Sequence, residues 1–281
     1  FISIYGRHSL RNRKGAEGYA GLSVVRAVCP EFVRIVRSPR GLVFSPQIPQ
    51  TLRGIMIRAR HHLWAKAIFY SYIHMILRKD YSRFWLSGSL PDFPGDRAVL
   101  AVPNHIGWWD GFFIHGLNRL VWKRPFYIMM LERQLRRYWY FRFVGAYSVR
   151  PGSPRSVRES MEYTAGLLSH PKNLLVMYPE GELRSQFLPP GELMRGIEWL
   201  ARNDASPPFT LLPVTFLVQP WDLRKPEIVV RCAGPVPSER VASEPGLLRK
   251  TLEENRNGAI GAMRTRDFTG ELFGREGEGR R

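Results

Sequence analysis

Short apolar runs that alternate with helical stretches constrain the fold of this chain more than any other feature. Four such runs occur from residue 97 onward, at 97–102, 126–130, 146–149 and 174–178. Apolar runs of this length are typical of buried strands, and strands that alternate with helices favour a parallel sheet. We therefore predict an α/β fold in which a largely parallel sheet is flanked by helices.

Helices are predicted between and after these runs. The clearest begins near residue 154, because Ser153 can cap it and Pro154 suits a first helical turn. The predicted helices cover residues 110–120, 131–142, 154–169, 192–202 and 247–264, and the later strands cover 209–218 and 227–232. The strand-helix order continues to the end of this region, which supports one large domain.

The chain is strongly basic, with 42 Lys and Arg against 24 Asp and Glu and a net charge of +18. Such a balance indicates anionic partners, namely lipid head groups, nucleic acid or phosphorylated substrates. Only Cys29 and Cys232 are present, which is too few for a disulfide framework, so we expect a reducing compartment. Together with the membrane segment predicted below, this expectation would place the protein at the cytoplasmic face of a membrane.

The composition changes along the chain and suggests four regions. We expect residues 1–50 to be a basic extension of uncertain status and without order, and residues 51–90 to be a helical segment at a membrane interface. Residues 91–265 should form the catalytic domain, and the Gly-rich, charged residues 266–281 a disordered tail. The oligomeric state does not follow from any of these patterns.

Residues 63–77 carry the membrane prediction. This stretch is apolar and aromatic, but Lys66 and His74 interrupt it, and it is shorter than the roughly 20 apolar residues that span a bilayer. Basic residues flank it on both sides, which favours an amphipathic helix lying on anionic lipids. The alternative is an ordinary helix that packs on the core and never meets lipid.

The first polar constellation follows the run at 97–102. His105 and Asp110 lie where a strand should end and a helix begin, which is where α/β sheets bind ligands. If the loop curls back, Asp110 can accept a hydrogen bond from one ring nitrogen of His105, and the other ring nitrogen can take a proton from a hydroxyl. The alternative is that Asp110 only caps the next helix and His105 ends the strand.

The second constellation follows the run at 174–178 and contains Glu180, Gly181 and Arg184. A carboxylate and a guanidinium around a glycine turn can bind a polar, phosphorylated acceptor, because the planar guanidinium matches the geometry of phosphate. An isolated loop of this kind is more often a solvated charged turn. Two polar loops at one sheet edge, however, favour a shared site.

Four ordered blocks make these patterns specific. They are Asn104-His105 with Asp110, residues 145–150, Pro179-Glu180-Gly181 with Arg184-Ser185, and Leu212-Pro213-Val214. In order and spacing they resemble the lysophospholipid and glycerol-3-phosphate acyltransferase family over about residues 60–220. The resemblance implies an enzyme that transfers a fatty-acyl group from acyl-CoA or acyl carrier protein to the hydroxyl of a lysophosphatidate-like acceptor in phospholipid biosynthesis.

The resemblance also implies a role for each block. His105 would be the general base and Asp110 would stabilise its protonated form, and no cofactor is expected. We also expect no metal, because neither His61-His62 nor His105 with Asp110 makes a set of three or four ligands. Arg150, Glu180 and Arg184 would recognise the phosphate of the acceptor. Gly145 and Gly181 would let the backbone turn closely, and Pro213 would lie beside the channel for the acyl donor.

One departure from the family pattern keeps the acceptor open. Glu182 and Leu183 separate Gly181 from Arg184, where the family usually has one residue. The acceptor could therefore be another lipid hydroxyl, such as that of a glycolipid or an isoprenoid. A more distant alternative is a basic nucleic-acid-binding protein, but no known motif supports it and we expect no nucleic-acid partner.

Overall fold

The structure is a computed structural model that describes residues 33–38, 41–46, 56–93, 95–221 and 224–274. The chain divides into two units between Arg53 and Gly54. In the first unit, strands β1 (Val33–Ser38) and β2 (Gly41–Pro46) pair antiparallel. The lack of order predicted for residues 1–50 is therefore wrong over these two strands, because their backbones pair with each other, and the rest of the extension lies outside the described residues.

The second unit is built on one sheet, which has nine strands in the part of the chain that the structure describes. They are β3 (Arg83–Ser87), β4 (Val99–Pro103), β5 (Phe126–Leu131), β6 (Ala146–Val149), β7 (Leu174–Val176), β8 (Thr210–Gln219), β9 (Glu227–Cys232), β10 (Val236–Pro237) and β11 (Gly270–Gly274). Their order is β11-β3-β9-β8-β4-β7-β5-β6, and β10 pairs with β8. Strands β8, β4, β7, β5 and β6 are parallel, which confirms the predicted α/β class.

Helices cover both faces of this sheet. They are α1 (Leu63–Asp80), α2 (Asp110–Leu120), α3 (Glu132–Arg137), α4 (Pro154–Leu168), α5 (Gly196–Arg202), α6 (Ser238–Ser243) and α7 (Leu247–Thr265). A 3-10 helix over Trp139–Val144 follows α3. Among the described residues, no helix combines the length and the apolar character needed to cross a bilayer.

Strand β4 lies between two apolar cores, one on each face of the sheet. Val99 and Ala101 belong to the core beneath α1 and α2, whereas Leu100 and Val102 belong to the core beneath α4, α5 and α7. Because both faces of β4 are buried, its sequence reads as a continuous apolar run. Each fully buried Val or Leu side chain of this strand contributes about 1.5–3 kcal/mol.

The sheet extends beyond the predicted catalytic domain at both ends. Strand β3 comes from the segment predicted as an interfacial helix at 51–90, and β11 comes from the tail predicted to be disordered at 266–281. The two strands pair antiparallel, and Phe273 packs edge-on against the fully buried Phe84 at 5.3 Å. The predicted disorder is therefore wrong over Gly270–Gly274, and residues 275–281 lie outside the described part.

The helix predicted over residues 131–142 is also wrong as a single element. Helix α3 ends at Arg137, and Tyr138 adopts φ −113° and ψ 52°, which is not helical. The chain continues in the tighter 3-10 form through an aromatic run in which Tyr138 packs on Trp108 at 4.9 Å between ring centroids. Packing of these rings thus overrides the helical pattern of the sequence.

Candidate active site

His105 and Asp110 are brought together by the loop between β4 and α2. Asp110 is the first residue of α2, and its side chain is fully buried. Its Oδ2 atom accepts a hydrogen bond from Nδ1 of His105 at 2.8 Å. The same oxygen accepts from the backbone N–H groups of Ile106 and Gly107 at 2.7 and 2.9 Å. These bonds curl the loop back, so residues five apart in sequence form a contact pair.

This arrangement fixes which nitrogen of His105 is available for chemistry. A carboxylate only accepts hydrogen bonds, so Nδ1 carries the ring proton and Nε2 holds the free lone pair. The side chain of His105 is 26% exposed, whereas that of Asp110 is inaccessible. The pair can therefore take a proton from a hydroxyl that reaches Nε2, with the buried carboxylate stabilising the resulting imidazolium.

Asn104 anchors the loop to the neighbouring strand. Its Nδ2 donates to the carbonyl of Phe216 at 2.9 Å, and its Oδ1 accepts from the N–H of Phe216 at 2.8 Å. The side-chain amide thus replaces a strand partner on β8, directly beside His105. Its place before His105 marked it as part of a block, but no sequence pattern predicted this contact with residue 216.

Tyr178 packs against the ring of His105. The two ring centroids are 4.1 Å apart and the planes make an angle of 23°. The Tyr178 hydroxyl is buried and has no hydrogen-bond partner among the described residues. Burial, and secondarily the charge of Asp110, raises the pKa of this hydroxyl well above 10. The apolar run predicted a strand over residues 174–178, but β7 ends at Val176, and the contact of Tyr178 with His105 was not predicted.

The loop after β7 is tied to the loop that carries His105. The N–H of Arg184 donates to the carbonyl of His105 at 2.8 Å. The Arg184 guanidinium pairs with Glu180 at 3.1 Å and with Glu182 at 3.2 Å. Gly181 turns the loop with φ +67°, in the left-handed region that favours glycine. The predicted second constellation therefore does lie beside the first.

A large apolar cleft borders His105 and has a volume of about 660 Å³. Its wall includes apolar side chains from several helices and strands, among them Phe112, Ile128, Phe141, Met161 and Met177. Trp108, Leu183 and Met194 also line it and are 41%, 60% and 53% exposed. The cleft is therefore open and apolar, and it reaches the candidate base.

A smaller and more polar depression also borders His105. Its lining includes Asn104, Glu180, Arg184 and Arg256. His105 and Pro179 are lining residues of both the cleft and the depression. The candidate base can thus contact an apolar group in one cavity and a polar group in the other.

A family comparison agrees with this geometry. Residues 88–216 match the family model described as Acyltransferase. This part of the chain is an acyltransferase domain. The acyltransferase domain contains His105, Asp110 and the loop after β7, and the protein is accordingly an enzyme. Helix α7 lies outside the matched residues.

Among solved structures, the acyltransferase domain and its flanks are similar to PlsC, the 1-acyl-sn-glycerophosphate (LPA) acyltransferase from Thermotoga maritima. The TM-score is 0.48 with 19% identity, over 71% of this chain and 79% of that chain. No curated protein matches the sequence.

Three of the predicted binding residues of the acyltransferase domain lie outside both cavities. Arg150 pairs with Glu132, with 2.6 Å between Nη2 and Oε2. Gly145 turns the chain with φ +110°, so close to β5 that an added Cβ would lie 1.9 Å from the carbonyl oxygen of Phe126. Pro213 is buried in β8 opposite Val102 of β4. The binding roles of these three residues stay predictions.

One further histidine lines the apolar cleft. His115 is 4% exposed, and burial lowers its pKa to about 3, with Arg119 acting in the same direction. It is therefore neutral at physiological pH and behaves as part of the aromatic wall, in contact with Phe126 at 4.7 Å between ring centroids. In the described ranges, no three His, Cys, Asp or Glu residues form a group that could hold a metal ion.

Proposed function

We propose that the protein is a membrane-associated O-acyltransferase of phospholipid biosynthesis that acylates a lysophosphatidate-like acceptor. The fatty-acyl group would come from a thioester, either acyl-CoA or acyl carrier protein. The observation that carries the proposal is that His105, held by Asp110, borders both the apolar cleft and the polar depression. A base that joins an acyl chain to a polar acceptor needs access to both.

In the proposed reaction the acceptor hydroxyl gives its proton to Nε2 of His105 while its oxygen attacks the thioester carbonyl carbon. The C–O bond forms and the C–S bond breaks. The imidazolium then returns the proton to the departing thiolate, so the products are an ester and a thiol. Asp110 stabilises the imidazolium through Nδ1, and general-base help of this kind contributes about 10² to 10⁴ in rate.

The acyl chain of the donor is assigned to the apolar cleft. Each methylene group that leaves water for such a wall contributes about 0.8 kcal/mol, so a long chain binds there strongly. His105 lines this cleft, so we assign the thioester carbon to the end of the chain that lies next to the base. Tyr178, against the imidazole ring, lines the same cleft and confines the reacting end.

Helix α1 supports the proposed attachment to a membrane surface. Trp64, Ile68, Tyr72 and Met75 recur at helical spacing and are 43%, 49%, 46% and 55% exposed. The opposite side of α1 is already buried against the sheet. A second, exposed apolar face on a packed helix fits a helix that lies on lipid, with basic Arg78 and Lys79 in its last turn near anionic head groups.

The exposed face of α1 continues toward the mouth of the apolar cleft. Tyr140 is 47% exposed, and proximity to Tyr72 contributes, after burial, to raising its pKa to about 12. Tyr138 packs between Tyr140, at 6.3 Å, and the cleft residue Trp108, at 4.9 Å between ring centroids. An acyl chain could therefore pass from lipid into the cleft along aromatic side chains, at what we propose is the cytoplasmic face.

A second class of acceptor is supported by the pairing of Arg184. Glu180 and Glu182 both contact its guanidinium, which reduces the charge available to a phosphate. A glycolipid or isoprenoid hydroxyl would not need that charge. Competition between lysophosphatidate and such lipids in one assay distinguishes the two classes by their kcat/KM values.

The test of the proposed function is thiol release by the purified full chain on anionic liposomes that contain lysophosphatidate. The substitution His105→Ala should lower the rate by about 10² or more without unfolding the protein. His170→Ala is the matched control, because the side chain of His170 is exposed and lies in neither cavity. A folded His105→Ala variant that keeps the wild-type rate would refute the role of His105, and inactivity with every acceptor and donor would refute the proposal.

A further inference from the structure

Arg256 of α7 faces the same polar depression as His105 and Arg184, although α7 lies outside the acyltransferase domain. The residue is only 9% exposed. Its Nε atom is inaccessible and has no hydrogen-bond partner in the described part of the chain. A buried donor without a partner is unfavourable by about 1–3 kcal/mol, more when charged, so a water or an anion that reached Arg256 from the depression would be stabilised.

The two terminal nitrogens of Arg256 each donate one hydrogen bond to a neutral group. Nη1 donates to Oδ1 of Asn257 at 3.0 Å, and Nη2 donates to the carbonyl of Phe187. Burial lowers the pKa of the guanidinium, and the more distant Glu253 and Glu180 act in the opposite direction. The ion pairs formed by the described residues do not include Arg256.

Arg184 is in a different electrostatic position. Its guanidinium is shared between the carboxylates of Glu180 and Glu182, so its charge is largely neutralised. Of the two arginines that line the depression, Arg256 is therefore the one whose positive charge is not matched by a carboxylate at ion-pair distance. An anion in the depression would gain most from Arg256.

We propose that Arg256 binds the phosphate group of the acceptor, beside His105 and together with Arg184. This inference rests on the proposed acyl transfer, because it places the acceptor hydroxyl at Nε2 of His105. In a glycerol phosphate the hydroxyl and the phosphate are only a few bonds apart, so the phosphate must bind next to the base. The depression, at about 20 Å³, holds one water-sized group, which is the size of a single phosphate oxygen.

Arg256 also helps to fix the loop that borders the depression, and this structural contribution must be separated from binding. Arg249, seven residues before Arg256 on α7, donates to the carbonyls of Pro190 and Gly191 in the same loop. Arg249 is exposed and does not line the depression. It therefore fixes the loop without facing the ligand, which makes it a matched control.

The experiment compares Arg256→Gln, Arg256→Lys and Arg249→Gln in the full chain. Binding of inorganic phosphate and of glycerol 3-phosphate is measured through the rise in unfolding temperature with ligand concentration. The KM values for lysophosphatidate and for the acyl donor are measured separately. We expect Arg256→Gln to weaken phosphate binding and raise the acceptor KM about tenfold or more, with the donor KM unchanged. The phosphate affinity and acceptor KM of Arg256→Lys should lie between those of the wild type and Arg256→Gln. Both values of Arg249→Gln should match the wild type.

The outcomes separate this inference from the proposed function. Phosphate binding that depends on Arg256, in a protein that releases no thiol with any donor, supports the anion site and refutes the acyl-transfer proposal. Turnover with an acceptor KM and phosphate affinity that Arg256→Gln leaves unchanged refutes the anion site alone. Equal changes in Arg256→Gln and Arg249→Gln would mean that Arg256 only fixes the loop, which also refutes the anion site. Unfolding without ligand verifies that each variant is folded.

Discussion

The phenol ring of Tyr178 lies nearly parallel to the imidazole of His105, with 4.1 Å between their centroids. Asp110 holds the same imidazole through Nδ1. The ring is therefore fixed both in its plane and across its face, which leaves Nε2 with one direction in which to accept a proton. Tyr178 is a positioning residue in this arrangement, because it acts through His105.

Two substitutions of Tyr178 should distinguish the contribution of its ring from that of its hydroxyl. Tyr178→Phe keeps the stacked ring and removes a buried hydroxyl without a partner, so kcat should change little and stability should rise by about 1 kcal/mol. Tyr178→Leu removes the ring, and kcat should fall about tenfold or more as the imidazole loses its orientation. Steady-state kinetics and thermal unfolding measure both. Equal kcat values in the two variants would contradict the positioning role.

Asp110→Asn should leave the loop folded and remove most of the activity. The amide oxygen can still accept from the N–H groups of Ile106 and Gly107, but it carries no charge to stabilise the imidazolium of His105. We expect kcat to fall about 10² to 10⁴ while circular dichroism stays unchanged. A variant within about threefold of the wild type would show that the carboxylate only holds the loop before α2.

Gly145→Ala should destabilise the protein far more than Gly152→Ala. Both glycines have positive φ, +110° and +83°, so both substitutions strain the backbone. An added Cβ at Gly145 meets the Phe126 carbonyl at 1.9 Å, whereas at Gly152 nothing lies within 4 Å. We expect losses of more than about 3 kcal/mol and of about 1–2 kcal/mol, respectively, in denaturant unfolding. Similar losses would show that the backbone near Gly145 relaxes freely.

Charge on the exposed face of α1 should weaken binding to membranes. The double substitution Ile68→Glu and Met75→Glu places carboxylates on exposed apolar positions, so flotation with anionic liposomes should decrease strongly while stability changes little. Trp199→Glu is the control, since Trp199 is 40% exposed on α5, a helix of the other core. A comparable loss of flotation in the control would mean that net charge, and not the α1 face, sets the binding.

His115 should make the protein sensitive to acid. Burial lowers its pKa from 6.5 to about 3, so the unfolded chain binds a proton that the folded protein excludes as the pH falls below 6.5. Stability is therefore lost with decreasing pH, by about 1.4 kcal/mol per pH unit from this group. In His115→Phe this contribution should disappear between about pH 6 and pH 4 in denaturant unfolding. If the free energy of unfolding depends on pH in the same way in the wild type and in His115→Phe, His115 does not cause the acid sensitivity.

The elements around the base could be predicted because their signals are local. Strand β4 is a continuous apolar run, and α4 begins at Pro154 with Ser153 as its cap, where Ser153 Oγ accepts from the N–H of Ser156 at 3.4 Å. The His105–Asp110 contact also follows from local sequence, since both residues belong to one short loop. In these elements the sequence pattern and the structure agree, because their conformation is determined mainly by residues close in sequence.

Contacts across the sheet could not be predicted in the same way. Asn104 bonds Phe216 over 112 positions, and Arg256 reaches a depression whose lining comes mostly from residues 103–215. Arg150 looked available at a strand end, but Glu132, eighteen positions earlier, takes its guanidinium. Strand β11 was missed because its partner β3 lies nearly two hundred residues away, and pairing of that kind leaves no periodic signal.

The bond from the N–H of Arg184 to the carbonyl of His105 has a consequence for redesign. It joins the segment that we propose to bind the acceptor to the segment that we propose to transfer the proton, so neither can be exchanged alone without disturbing the other. Replacing the loop after β7 with one from a relative that has the shorter Gly-to-Arg spacing would therefore shift the backbone of His105. Acceptor preference and the pH dependence of turnover should therefore change together in such hybrids, because one hydrogen bond couples the two segments.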